Sequence, residues 1–257
     1  MIVRVLVASH KEFYMPADDI YLPIRVGSKL ASSDFGYTRD DTGDNISEKN
    51  PFFCELTAIY WAWKNLKADY IGLVHYRRHF AGKKTLKKES SIMTSEQAIS
   101  LCSKYDVIVP KKRHYFIETL KSHYQHTHDI THLEYTRQII AEKFPDYLET
   151  FDRKMNMRSA HMFNMFIMKR DLFDKYCTWL FEILFSLEKK IDITKMKPFD
   201  ARLFGRVSEL LLDIWLIKNN INYKEVRFVQ LGAEKKLQKL KSFLFAKYYG
   251  KKYECSR

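Results

Sequence analysis

The sequence predicts an α/β fold: one domain with a mostly parallel central sheet flanked by helices, followed by a basic helical tail. Three observations carry that expectation. Short apolar runs rich in β-branched residues recur along the chain, such as IVRVLVA at residues 2–8 and YIGLVH at 70–75. Longer segments with apolar residues at helical spacing alternate with them. Glycine (8) and proline (6) are scarce in 257 residues, which excludes collagen-like, linker-rich and glycine-loop chains.

Residues 2–8 read as a buried opening strand, and DIYLPIRVG is a second extended segment ending at Gly27. Residues 32–50, SSDFGYTRDDTGDNISEKN, are polar, carry turn formers and predict a long loop. Asn50-Pro51 predicts a helix start with Asn as N-cap and Pro first inside, and Leu56, Ile59, Tyr60 and Trp63 follow at helical spacing. The strand at 70–75 breaks into the polar run YRRHF. Thr94 and Gln97 form a capping-box pattern that predicts another helix. DVIVP at 106–110 is a third strand, residues 113–155 are mainly helical and polar, and 161–168 is a fourth strand candidate. Leu172, Phe173, Tyr176, Trp179, Leu180, Ile183, Leu184 and Leu187 make one apolar stripe, the clearest helix in the chain. Ser208 is predicted to cap a helix carrying Leu211, Ile214 and Trp215, and residues 226–229 to form a last strand. No internal repeat is visible. Residues 1–233 are expected to be one domain and 234–257 a basic amphipathic tail.

Hydrophobic residues at 46% and aromatics at 15% exclude a disordered chain. Cys54, Cys102, Cys177 and Cys255 include no Cys-x-x-Cys, which predicts a reduced, cytosolic protein rather than a disulfide scaffold or zinc module. The opening lacks the longer apolar region of a signal peptide, and no apolar run reaches the ~20 residues that span a bilayer, so a soluble or peripheral protein is expected. A net charge of +13 points to an anionic partner: nucleic acid, an acidic membrane surface or a phosphorylated substrate. The sequence holds no P-loop, no G-x-G-x-x-G, no H-E-x-x-H and no G-x-S-x-G. It also lacks an Asp-x-Asp after a strand, the usual metal clamp for a sugar nucleotide.

Five constellations remain. In the loop at 40–50, Asp41 and Asp44 could accept hydrogen bonds from sugar or ribose hydroxyls, or simply make turns, as composition alone favours. In H-Y-R-R-H-F, Arg77 and Arg78 end a buried strand where α/β folds bind ligands; they could neutralise a diphosphate without metal, or be a solvated basic turn. His114, His123, His126, His128 and His132 have helix-face spacings, but Asp129 is the only carboxylate close in sequence, so a solvated or acceptor-facing helix is favoured over a metal site. Glu209, read as a first-turn residue, would be held ionised by the helix dipole, as a general base requires, or would merely favour the helix end. The tail carries eight Lys/Arg against two Glu, with Leu237, Leu240, Phe243 and Leu244 on one face, and suits an anionic membrane interface or a helix docked on the body.

The runs DDTGDNISEKNPFFCELTAIYWAWKN and DYIGLVHYRRHF strongly resemble a bacterial glycosyltransferase family of capsular, exopolysaccharide and O-antigen synthesis, long described as a domain of unknown function. The resemblance continues through HYQHTH, NMFIMKRDLFDKYCTWLFEIL and FGRVSELL, covers most of residues 1–230 and leaves out the tail. It implies a single GT-A-like, Rossmann-like domain acting on a UDP-sugar, with some members associated with galactofuranose transfer. It implies Glu209 as base, with Arg77 and Arg78 on the departing diphosphate. Ser9, His10, Lys11, Asp41, Asp44, Asn45, His75, Tyr76 and Asn164 would bind the nucleotide sugar, and His123, His126 and His128 would lie on the acceptor side. The resemblance leaves room for Mn or Mg without implying either. The family pattern Gly-Phe-(Leu/Ile)-Ser-Glu-Arg reads Gly205-Arg206-Val207-Ser208-Glu209-Leu210 here, so the arginine after the glutamate is missing and Arg206 is the candidate to compensate. The expected acceptor is a lipid-linked oligosaccharide, reached from the cytoplasmic face of the membrane with the tail on anionic lipid. Nucleic acid is not expected as a partner. A basic nucleic-acid-binding protein and a metal-dependent hydrolase built on the histidines are the rivals.

Overall fold

The computed structural model describes residues 1–232. The tail assigned to 234–257, and the boundary drawn before it, lie outside the described residues. The strands are β1 (Val3–Ser9), β2 (Tyr21–Arg25), β3 (Thr38–Arg39), β4 (Tyr70–His75), β5 (Arg78–Phe80), β6 (Val107–Pro110), β7 (Arg113–His114), β8 (Ser159–Ala160), β9 (Phe166–Lys169), β10 (Tyr223–Val226) and β11 (Phe228–Gln230). The helices are α1 (Asn50–Phe53), α2 (Leu56–Asn65), α3 (Ser95–Cys102), α4 (Leu120–Thr127), α5 (Thr131–Lys143), α6 (Leu148–Met155), α7 (Arg170–Glu188) and α8 (Leu203–Lys218).

The sheet runs β10-β6-β9-β4-β1-β2-β3, with β5 and β11 as a side branch off β4. β1, β2, β3 and β4 are parallel, as are β6 and β10. β9 is antiparallel to both β4 and β6. The predicted α/β class with a mostly parallel sheet therefore holds. Because β9 runs backwards, its entry, not its exit, meets the edge where β1, β2, β4 and β6 end. That reversal brings residues 163–165 beside residue 75.

Both faces of the sheet are covered, which is why its strands read as near-continuous apolar runs. Leu6 and Ala8 join the core shared with α2, α7 and α8, while Val3, Val5 and Val7 join the core shared with α3 and Phe80. The period of two along β1 sorts them. α3 carries the predicted capping box between Thr94 and Gln97. α7 buries the predicted stripe from Phe173 to Leu187. Among the described residues, no helix is long and apolar enough to cross a membrane.

Several boundaries differ from expectation. The helix expected to be capped by Asn50 is two pieces, with Lys49 as N-cap and a break at Cys54, whose φ of 55° is left-handed. Asn50 instead spans the break, its Nδ2 donating to Cys54 O at 2.7 Å and Thr57 Oγ1 at 3.3 Å. Ser208 does not cap α8. The helix starts at Leu203, and the buried Ser208 hydroxyl donates to Gly205 O and Asn164 Oδ1. Of residues 161–168 only the second half is strand, and residues 226–229 straddle β10 and β11. Gly205 lets α8 approach the α1–α2 break, since a Cβ there would sit 3.2 Å from Cys54 Cβ and 3.3 Å from its Sγ.

The acidic loop is anchored by Asp40, which is wholly buried. It accepts from Gly27 N (2.8 Å), Ser28 N (2.9 Å), Ser47 Oγ (2.5 Å) and Thr57 Oγ1 (2.6 Å). A second buried network joins α6, β10 and α8: Lys154 pairs with Asp213 at 2.5 Å, and His161 bridges Asp213 and Glu225. Removing one member of such a pair leaves an uncompensated buried charge.

Candidate active site

The carboxyl edge of the sheet gathers the side chains that can do chemistry, as expected of an open α/β sheet. Phe163 (φ 76°) and Asn164 (φ 52°) are consecutive left-handed residues at the entry to β9. Non-glycine residues rarely hold that conformation, and its cost is borne where surrounding contacts enforce it. Here His75 Nε2 donates to Phe163 O at 2.6 Å. Asn164 Nδ2 donates to Glu55 Oε1 at 2.7 Å and to Gly205 O at 3.1 Å, while its Oδ1 accepts from Ser208. The Asn164 amide is thereby used up by the protein. It positions Glu55 and the turn.

Glu209 lies in the second turn of α8, half-buried. The helix-dipole argument therefore fails, because α8 begins six residues before it. Desolvation first, and the negative charge of Glu55 second, push the Glu209 carboxyl up to about 7, against the pull of a Phe163 backbone hydrogen bond and of Arg78 and Arg113. A carboxylate poised near neutrality is a better proton acceptor than the strongly ionised one the sequence suggested.

Arg78 faces this pair from the β4–β5 turn. Its guanidinium lies 4.4 Å over the Phe163 ring, and its buried Nε has no hydrogen-bond partner. Burial lowers its pKa, and Glu209 and Glu55 oppose that. Arg202 adds a second cation, its Nε 3.2 Å from Cys54 Sγ and its pKa raised by Cys54, Glu55 and Glu209. Glu55 and Arg202 escaped the sequence reading. Glu55 sits inside an apolar helical run, and Arg202 precedes a helix that starts at Leu203, ahead of the cap the sequence predicts at Ser208.

Of the other expected site residues, His10, Lys11 and Tyr76 come together. The His10 and Tyr76 rings meet edge-on at 5.3 Å, and Lys11 Nζ lies 5.3 Å from the Tyr76 centroid. Burial and the charges of Lys11, Arg25 and Arg202 lower the His10 pKa. Ser9 is buried and its hydroxyl donates back to Lys11 O at 2.5 Å, so it shapes this loop. Arg77 follows Tyr76 in the same turn, and its charge acts on Arg78. Its carbonyl accepts from Leu231 N, and its guanidinium packs near Gly232.

The acidic-loop residues are not at the cluster. Asp41 pairs with Arg39 at 2.6 Å, which holds its carboxyl below the usual range. Asp44 accepts from Tyr60 OH at 3.2 Å and, through its carbonyl, from Asn65 Nδ2. Asn65 lies about 15 Å along α2 from Glu55 at 1.5 Å per residue. Asn45 bonds Gly43 O and Ser47 N within the loop. The loop descends along α2 because Asp40 and Thr42 are tied to Thr57 and Trp61.

His123 and His126 both donate through Nδ1 to the buried Glu118, at 2.8 and 2.6 Å, and His128 lies 3.3 Å from Arg206. Glu118, missed in the sequence, is the carboxylate that organises the histidines. Phe116 and Ile117 beside it are largely exposed. Among the described residues, no three His, Cys, Asp or Glu side chains converge as metal ligands. The end of β4 and the turn after it hold His75, Tyr76, Arg77 and Arg78, with no carboxylate among these four residues.

The model of one protein family, the domain of unknown function DUF4422, matches residues 4–220. The chain belongs to that family. Its fold is similar to the apo structure of WbbM, a bifunctional glycosyltransferase, with a TM-score of 0.84 and 30% identity over 91% of this chain. The match takes in 46% of WbbM, so the chain spans about half the length of that solved protein. No curated protein matches it. The family resemblance and the GT-A-like fold it implies both hold.

Proposed function

We propose that this chain is a hexosyltransferase that moves a sugar, with galactofuranose as the named candidate, from a UDP-sugar to a hydroxyl of a lipid-linked oligosaccharide. The setting is bacterial surface polysaccharide synthesis at the inner face of the cytoplasmic membrane. In the reaction, Glu209 takes the proton of the acceptor hydroxyl as its oxygen attacks the anomeric carbon. The bond to the diphosphate breaks on the opposite side, and the configuration inverts. Arg78 and Arg202 face the charge that develops on the leaving diphosphate. Phe116, Ile117 and the Glu118-held histidines offer the acceptor side. No step is routed through a metal. The observation that carries this reading is the pairing of a carboxyl near pKa 7 with an arginine whose buried Nε lacks an acceptor. A buried donor left unmade costs about 1–3 kcal/mol, which a phosphate oxygen would recover.

A thermal-shift panel of UDP, GDP, CMP and dTDP, each with manganese or EDTA, tests it. A ligand at 100 times its Kd stabilises the folded protein by roughly 2.7 kcal/mol. The expected result is a UDP shift that survives EDTA. A shift only with manganese overturns the metal-free reading, and no shift with any nucleotide counts against the transferase.

The pH dependence gives a second check. Activity is expected to rise with pH through about 7 as Glu209 ionises. Glu55→Gln keeps an acceptor for Asn164 and removes the like charge, so that limb should move to lower pH. A limb that stays in place in the variant removes Glu55 from the tuning of Glu209.

A further inference from the structure

The segment G-K-K-T-L-K-K, residues 82–88, takes no part in the site described above. Leu86 is fully exposed, with a relative accessibility of 106%, and stands between Lys83, Lys84, Lys87 and Lys88. A single exposed leucine is ordinary, but this one is presented by a built turn. Thr85 Oγ1 donates to Lys87 O at 2.6 Å across Leu86, Thr85 N donates to Ser91 Oγ at 3.1 Å, and Ser91 Oγ donates to Lys87 O at 3.2 Å. Behind the tip, Lys83, Lys84, Lys88 and Arg227 line a groove of about 280 Å³ floored by Ala81, Phe228 and Val229. The lining includes no carboxylate. Glu89 is the one acidic residue between Lys83 and Ser91, and none of these four cations pairs with a carboxylate among the described residues.

We infer that the 83–88 loop is a membrane-docking tip, in which Leu86 inserts among acyl chains while the lysines and Arg227 meet the headgroups of an anionic phospholipid bilayer. An apolar point ringed by cations matches a surface that is apolar beneath and negative on top. Long lysine stems reach the headgroups while their methylenes follow the leucine inward. Excess positive charge with no internal partner is costly to gather unless an external anion compensates it. This surface rests on no catalytic assignment, and it is separate in sequence from the basic tail.

The test is co-sedimentation of the full chain with vesicles of phosphatidylcholine, alone and mixed with phosphatidylglycerol. Neutralising Lys83, Lys84, Lys87 and Lys88 together to Gln should weaken binding to the anionic vesicles by roughly 600-fold, each cation near such a surface being worth roughly fivefold. Leu86→Ser should weaken it roughly tenfold. Both variants should keep the parent's Tm and its nucleotide-induced thermal shift, which separates failure of this surface from failure of the transferase reading. Undiminished vesicle binding by the quadruple variant, or no binding of the parent to anionic vesicles, overturns the inference. So does retention on duplex DNA that depends on these lysines while vesicle binding does not.

Discussion

Glu209→Gln is expected to lower kcat at least ~100-fold while the UDP-induced thermal shift persists. The amide keeps the shape of the side chain and cannot take a proton, so donor binding and proton transfer separate. Stability should move the other way. In the folded protein Glu209 titrates near 7 against an ordinary 4.5, so its contribution is fully present below the lower value and is lost as pH rises through about 7. The difference corresponds to on the order of 3 kcal/mol. Glu209→Gln should therefore melt higher than the parent at pH 8 and nearly with it at pH 5. A variant that is inactive and also less stable at pH 8 would mark Glu209 as a packing residue. Near-parental turnover would remove it from the base role.

Arg78→Ala is expected to cost about 100- to 1000-fold in turnover, the scale of one well-placed donor to developing charge. It should also reduce the UDP-induced shift. Arg78→Lys should recover only part of either, since a point charge does not reproduce the planar fork or its stacking on Phe163. Arg77→Ala should cost much less, because Arg77 packs toward Leu231 and Gly232. Equal losses for Arg77 and Arg78 would restore the paired-arginine reading. Loss of turnover in Arg78→Ala with UDP binding intact would move Arg78 from the diphosphate to the acceptor.

The site was legible where function leaves a mark on a strand end. Residues 70–78 show an apolar run that stops abruptly in cations, and the structure puts Arg78 at the cluster. His10, Lys11 and Tyr76 meet at the same edge. The partners of the acidic loop were not legible, for a physical reason. Three aspartates in five residues look equivalent in a string, yet Asp40 is consumed by four buried donors, Asp41 by Arg39, and Asp44 by Tyr60. Which carboxylate faces which donor depends on how the loop is folded onto α2, and no local pattern encodes that.

What the sequence alone determined is what short-range periodicity and composition control: the α/β class, the opening strand, the capped α3, the long stripe of α7, the cationic end of β4 and the family. The tertiary structure decided the rest. The reversal of β9 carries Phe163 and Asn164 to the carboxyl edge, and the close approach of α8 to the α1–α2 break sets Glu209 beside Glu55. Glu55 and Glu209 stand more than a hundred positions apart in the chain. A carboxyl's proton affinity is set by burial and by neighbouring charge, both properties of through-space packing. Glu209 therefore reads as a helix-start acid in the sequence and becomes a carboxyl poised near neutrality only in the fold.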